Sequence, residues 1–161
     1  MDFRDLQEGD LDTFADFVSA IYEDVPQAMW FSGHPSTDEL KDLLQQKLEG
    51  MEEKKLVDLV AVQDDEIIAE CEIVKTVANY GYLGLLVKKE YRRQGIATKI
   101  LALAQDKAKE IGVRLIQAEV SEDNESSLNF MSRLGFVTKK TQKNVEYSEK
   151  TFNLILLEKK I

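Results

Sequence analysis

The feature that most constrains the fold lies at residues 82–98. An apolar run (Leu83, Leu85, Leu86, Val87) gives way to Lys88-Lys89-Glu90-Tyr91-Arg92-Arg93, and after Gly95 the apolar residues fall three and four apart. A short apolar run of that kind is typical of a strand in a sheet interior. Ile96, Ile100, Leu103, Ala104, Ala108 and Ile111 then keep a helical period until Gly112 ends it. The segment reads strand, turn, helix.

The same reading extends over the rest of the chain. Residues 3–6 suit a short first strand, and Leu11, Phe14, Phe17, Val18 and Ile21 recur at helical spacing. Residues 24–35 hold both prolines together with Trp30 and Phe31 and read as a loop. Ser36 and Glu39 form a capping box that opens a second helix with the stripe Leu40, Leu43, Leu44 and Leu48. Residues 56–63 and 67–76 are strands joined by an acidic turn, Asp64-Asp65-Glu66. Beyond Gly112 come a strand over 114–120, a helix over 124–134 stopped by Gly135, and a hairpin of strands over 136–147 and 151–159. The predicted order is β-α-α-β-β-β-α-β-α-β-β, an α/β protein in the broad sense: a mixed sheet with helices on both faces. No repeat or linker divides it, so residues 1–161 are read as one domain.

Composition narrows the function classes. Apolar residues make up 43% and charged residues 32%, the balance of a globular chain. No apolar run approaches the roughly 20 residues that span a bilayer, and the start MDFRDLQEGD is acidic where a secretory signal is basic. No membrane association is expected, and a cytoplasmic location is the default. Cys71 is the sole cysteine and His34 the sole histidine, so neither an internal disulfide nor a Cys/His metal site is expected. The net charge of −9 is uneven: residues 1–66 carry 18 acids and 5 bases, whereas residues 86–107 carry six bases and two acids. An acidic chain is a poor partner for nucleic acid, but a local cationic patch suits a small polyanion.

A strand-to-helix turn is where such an anion binds, because the first N–H groups of a helix have no internal partner. Gly95 lets a phosphate approach the backbone, Ala97 keeps the next position small, and Arg92 and Arg93 add charge. The spacing is neither that of a nucleotide P-loop nor that of the three-glycine dinucleotide motif. Val87, four residues, then Arg-x-x-Gly-x-Ala at 92–97 resembles motif A of the GNAT acetyltransferase superfamily. Asn124, eleven residues, then Phe136, with Leu134-Gly135-Phe136, resembles its motif B.

The resemblance implies a GNAT-like fold and transfer of an acetyl group from acetyl-CoA to a primary amine, a peptide N-terminus or a small amine, alone or as a homodimer. It implies that Leu85, Leu86 and Val87 splay from the neighbouring strand and bind the pantetheine arm. The backbone amides of Arg93, Gln94, Gly95, Ile96, Ala97 and Thr98 would hold the pyrophosphate, with Arg92 beside them, and Asn124 would touch the arm from the opposite wall. Lys88, Lys89 and Lys99 are candidates for the nucleotide end. No metal is implied.

The attacking amine must lose a proton. The strand over 82–88 has no carboxylate, and Glu119, five residues before Asn124, resembles in its spacing the base proposed for ribosomal-protein N-terminal acetyltransferases. Glu70 and Glu72 are the backups, read otherwise as the wet face of their strand. The family's usual thiolate-protonating tyrosine, seven residues after the asparagine, is here Met131, which cannot donate a proton. Solvent or another tyrosine (Tyr80, Tyr82 or Tyr147) would have to serve. A coenzyme A-binding sensor or interaction module with little turnover is the alternative that Met131 leaves open. Trp30, Phe31 and His34 border the acceptor region in such a fold, with packing and solvent exposure as their plainer roles. Cys71, without a histidine partner, reads as a small buried hydrophobe.

Overall fold

The structure, a computed structural model, describes residues 1–25, 33–147 (of Tyr147, the backbone) and 150–161. Trp30 and Phe31, and the side chain of Tyr147, lie outside the described residues. The elements are β1 (Asp2–Asp5), α1 (Leu11–Asp24), α2 (Thr37–Glu52), β2 (Leu56–Gln63), β3 (Glu66–Lys75), β4 (Tyr80–Val87), α3 (Ile96–Glu110), β5 (Leu115–Ser121), α4 (Glu125–Arg133), β6 (Val137–Tyr147) and β7 (Lys150–Lys160). This is the order expected from the sequence. The seven strands form one sheet in the order β1-β2-β3-β4-β5-β7-β6. Every neighbouring pair is antiparallel except β4 and β5, which run parallel with α3 between them in the chain.

Local chemistry explains the boundaries. The Ser36 hydroxyl accepts from the Glu39 N–H at 3.2 Å, and the Glu39 carboxylate accepts from the Ser36 N–H at 2.7 Å, so the predicted capping box starts α2. The turn between β2 and β3 has only two residues, Asp64 (φ 51°) and Asp65 (φ 63°), while Glu66 already belongs to β3. Two left-handed residues make the primed turn whose twist matches a hairpin, and aspartate tolerates that conformation. Among the described residues no helix is long and apolar enough to cross a membrane.

The sheet separates two apolar clusters. On one face Ile96, Ile100, Leu101, Ala104 and Ala108 of α3, with Met131 of α4, pack on Cys71, Ile73, Leu83, Ile116 and Ala118. On the other, Phe14, Phe17, Val18 and Ile21 of α1 and Leu40 and Leu44 of α2 pack on Val60 and Ile67. Cys71 is buried, as expected for a small hydrophobe, and has no disulfide partner.

The second cluster also holds charge. Lys47 of α2 points at the sheet and is buried, with its Nζ 2.7 Å from Asp58 Oδ2 and 3.0 Å from Glu70 Oε1, and it donates to Glu72 Oε2. Glu70 is therefore not on a wet face, a correction to the alternation read from the sequence. Its face of β3 is the one that α1 and α2 cover, and of the two glutamates only Glu72 retains partial exposure, 33% of its side chain. Burial alone would pull the Lys47 ammonium down, but the charges of Glu70, Asp58 and Glu72 outweigh it and hold the group well above its usual value. Burial, with the Glu70 charge, pushes Asp58 well above the usual carboxylate range despite Lys47. Both directions follow from one ammonium facing three carboxylates.

Replacing Lys47 with Met leaves these carboxylates without a counter-charge and is expected to cost about 3–5 kcal/mol at pH 7. An acid whose folded value is raised destabilises only above its unfolded value, so the loss should shrink as pH falls towards about 4. Urea unfolding at pH 4.5 and pH 7 checks this. Equal losses at the two values would show that the variant is hurt by lost packing and not by charge.

Candidate active site

The parallel pairing of β4 with β5 covers only Tyr80↔Leu115, Gly81↔Ile116 and Tyr82↔Gln117. Beyond Tyr82 the two strands part. On the other side β4 stays zipped to β3 as far as Ala69↔Val87. The Lys88 N–H donates to Ile68 O and the Thr76 N–H to Tyr80 O, each at 2.9 Å, so the even-numbered residues of β4 exchange their bonds with β3. In an antiparallel ladder the alternate residues point their backbone groups the other way. Leu85 and Val87 thus turn their backbone groups into the gap where β5 has departed. Leu86 does not: its backbone faces β3, and its side chain packs in the α1/α2 cluster.

The gap meets the mouth of α3. Arg93 (φ 64°) and Gly95 (φ 80°) both adopt left-handed backbone, and a side chain on Gly95 would meet nothing within 4 Å. The first bond of the helix runs from the Lys99 N–H to Gly95 O, at 3.1 Å. Among the described residues, the N–H groups of Arg93, Gln94, Gly95, Ile96, Ala97 and Thr98 donate no hydrogen bond. Six consecutive N–H groups without a partner among the described residues, at a helix N-terminus preceded by left-handed backbone, have the chemistry to receive an anion. Ile96 is buried in the core and fixes the helix start. The Gln94 amide donates to Glu90 O at 3.1 Å and braces the turn.

The expected basic residues divide. Arg92 donates through Nε to Val87 O at 2.9 Å and pairs through its other arm with Asp24 at the end of α1. It braces the turn instead of projecting freely. Lys88 is buried, 3.3 Å from Glu66, and Lys99 lies 4.4 Å above the Phe3 ring. Lys89 is largely exposed, 4.0 Å from Asp24.

Across the gap, Asn124 caps α4, with its Oδ1 accepting from the Ser127 N–H at 3.1 Å. Glu119 lies on β5, exposed, and accepts from the Tyr82 hydroxyl at 3.0 Å. Burial, followed by the charge of Glu119 and its hydrogen bond, pushes the Tyr82 phenol up, so it stays a donor. Sequence reasoning singled out both residues but not their contact, which joins positions 37 apart in the chain. Met131 is buried in the α3/α4 core. His34 is exposed and stands edge-on to Tyr22, with ring centroids 5.4 Å apart.

Sequence reasoning also missed Asp24, Lys47 and Asp58. Two of them left a signal. Lys47 falls on the apolar stripe of α2 between Leu44 and Met51, and Asp58 interrupts the run Leu56-Val57-Asp58-Leu59-Val60. Opposite charges at two core positions call for each other.

The arrangement agrees with known proteins. Residues 17–136 match the acetyltransferase (GNAT) family. The chain is 37% identical over 82 residues to N-alpha-acetyltransferase 30 of Schizosaccharomyces pombe, a stretch covering 48% of this chain and 55% of that protein. The chain thus spans about half the length of this curated relative. A ribosomal-protein-alanine N-acetyltransferase from Brucella melitensis superposes with a TM-score of 0.85 at 20% identity, covering all of both chains. The yncA protein of Salmonella typhimurium, solved with its cofactor acetyl-CoA, gives 0.83 at 15% identity over 99% of this chain and 92% of that one. At such identities the two structures speak for the fold. The family match covers most of the chain, with the parted strands and the unpaired helix mouth inside it: this chain belongs to the acetyltransferase (GNAT) family.

Proposed function

We propose that the protein transfers an acetyl group from acetyl-CoA to a primary amine. The observation that carries this reading is the row of unpartnered N–H groups from Arg93 to Thr98 beside the gap that opens beyond Tyr82. Such a row suits a diphosphate, and the gap suits an extended arm that pairs with Leu85 and with the Val87 N–H, the Val87 carbonyl being held by Arg92. In this reading the Asn124 amide NH2, which donates no hydrogen bond among the described residues, meets that arm from the α4 side. Bound acetyl-CoA would supply an activated thioester carbonyl.

The protein's own groups do the rest. An α-amine titrates near 7.7–8.0 and a lysine-type amine near 10.4, so the acceptor arrives largely protonated and has no lone pair to attack with. Glu119 takes that proton at its carboxylate. Tyr82, a fixed donor to Glu119, holds the carboxylate in place. The backbone N–H of the parted strand at Leu85 or Val87 is free to donate where negative charge grows on the carbonyl oxygen. Met131 is packed in the core and offers no acid, but a thiol titrates near about 8.5, so the departing sulfur can take its proton from solvent.

The likeness to N-alpha-acetyltransferase 30 and the spacing of Glu119 both favour a protein N-terminus as acceptor over a small amine. Thiol release from acetyl-CoA, followed with unblocked peptides and with spermidine, ranks the two. Release with neither, despite coenzyme A binding, would favour the sensor reading.

Two variants test the halves of the site. Gly95→Glu forces a side chain into left-handed backbone at about 1–2 kcal/mol and sets a carboxylate among the anion donors. Coenzyme A affinity by calorimetry should fall at least a hundredfold with the thermal midpoint largely kept. Unchanged affinity would remove the phosphate site from this loop. Glu119→Gln should lower kcat by roughly 10²–10³-fold, within the span of a lost general base, and leave coenzyme A affinity unaltered. A kcat within a factor of two of the wild type would take the base away from Glu119.

A further inference from the structure

The parted strand ends at Val87, and its last carbonyl is already taken. Alternation along β4 turns the backbone groups of Leu85 and Val87 away from β3 and into the gap beyond Tyr82. A bare edge of this kind can be extended by whatever chain enters it, group by group. Arg92, five residues further on, donates through Nε to Val87 O at 2.9 Å. Pairing along the edge can therefore run past Leu85 to the Val87 N–H and no further.

The guanidinium is itself held. Its other arm pairs with Asp24, the last residue of α1. The helix does not explain an acid there: α1 closes on Glu23 and Asp24 with no base in its last turn, against its own dipole. Arg92, with Lys89 at 4.0 Å, brings the opposite charge from the turn after β4. The Asp24 side chain is 19% exposed, so the pair is partly withdrawn from water. A planar fork can serve a carbonyl and a carboxylate at once in one fixed geometry, which a lysine cannot. The end of β4 is thus tied to α1, which packs on the face of the sheet opposite α3.

We propose that Arg92, held by Asp24, is a stop that limits how far along β4 the cofactor arm pairs, and so fixes where its thioester lies, and is not a ligand of the phosphates. Both are positioning residues: Arg92 acts through the Val87 carbonyl, and Asp24 through Arg92. This rests on the transferase reading and adds to it. The N–H groups from Arg93 to Thr98 take the diphosphate, and the arm leaves the strand at the Val87 N–H. With the stop gone, the freed carbonyl lets the arm ride further along β4 and carries the thioester off its place.

The test compares wild type with Asp24→Ala, Arg92→Met, Arg92→Lys and the Asp24→Ala/Arg92→Met double variant. Calorimetry gives coenzyme A affinity, and thiol release from acetyl-CoA with unblocked tetrapeptides and with spermidine gives kcat and the acceptor KM. Arg92→Met should lower kcat roughly ten- to hundredfold, the scale of a reacting group misplaced by about an ångström. Its coenzyme A affinity should stay within about threefold of wild type, since the freed carbonyl offers the arm a partner. Arg92→Lys should lose kcat likewise, because it keeps the charge but not the fork, and it decides the matter if Arg92→Met does not fold. The double variant should be no slower than Arg92→Met alone. A loss of about tenfold or more in coenzyme A affinity in Arg92→Met, recovered in Arg92→Lys, would make Arg92 a phosphate ligand and overturn the stop. A lowered melting temperature with unchanged kcat would leave the pair a structural strut and overturn it too. Absence of thiol release from wild type with every amine would instead fell the transferase reading, and the stop with it.

Discussion

The architecture depends on where one parallel pairing stops. β4 and β5 share three residue pairs and then separate, while each keeps its outer neighbour, β3 or β7, along nearly its full length. Main-chain polar groups need partners, so a strand that loses its neighbour in mid-course presents a row of donors and acceptors to whatever enters. The gap opens on the same side as the mouth of α3, since the helix connects these two strands. A bare strand edge and a bare helix end thus meet without any single residue being specialised for both.

Each face of the sheet has its own chemistry. Towards α3 and α4 the strands present Cys71, Ile73, Leu83 and Ile116, an apolar wall that fixes the helix mouth. Towards α1 and α2 they present Asp58, Glu70 and Glu72, and on the uncovered strands Tyr82 and Glu119. Alternation along a strand lets one run serve both: Leu83 and Leu85 face the apolar side while Tyr82, Gly84 and Leu86 face the other. The helix α3 and the buried carboxylates therefore belong to opposite faces of a single sheet.

The strand order and helix stripes were legible because they follow from periodicity, and α3 was plainest, its apolar residues returning in step from Ile96 to Ala108. The turn into α3 was legible through Gly95, which stands in left-handed backbone just before the helix begins at Ile96. What could not be read were the contacts that tertiary structure alone creates. Arg92 looked like a free cation until Asp24, 68 residues away, was found beside it. Glu70 and Glu72 fitted a solvent-facing alternation because period two reports that a face exists, not which helix covers it. Only the misplaced Lys47, on an otherwise apolar stripe, hinted that the covering helix carried the matching charge.

The shortness of the β4–β5 seam has a mechanical side. Between the half of the sheet built from β1 to β4 and the half built from β5, β7 and β6, three residue pairs are all the ladder there is. Cohesion across the middle of the molecule rests instead on side chains, in one apolar cluster that takes in Ile100, Ala104 and Ala108 of α3, Ile73 and Leu83 of the first half, and Ile116 and Ala118 of the second. Dispersion contacts of that kind tolerate small sliding better than directional amide bonds do. The fold is thus stiff within each half and compliant about the seam, like a book bound along a short length of its spine.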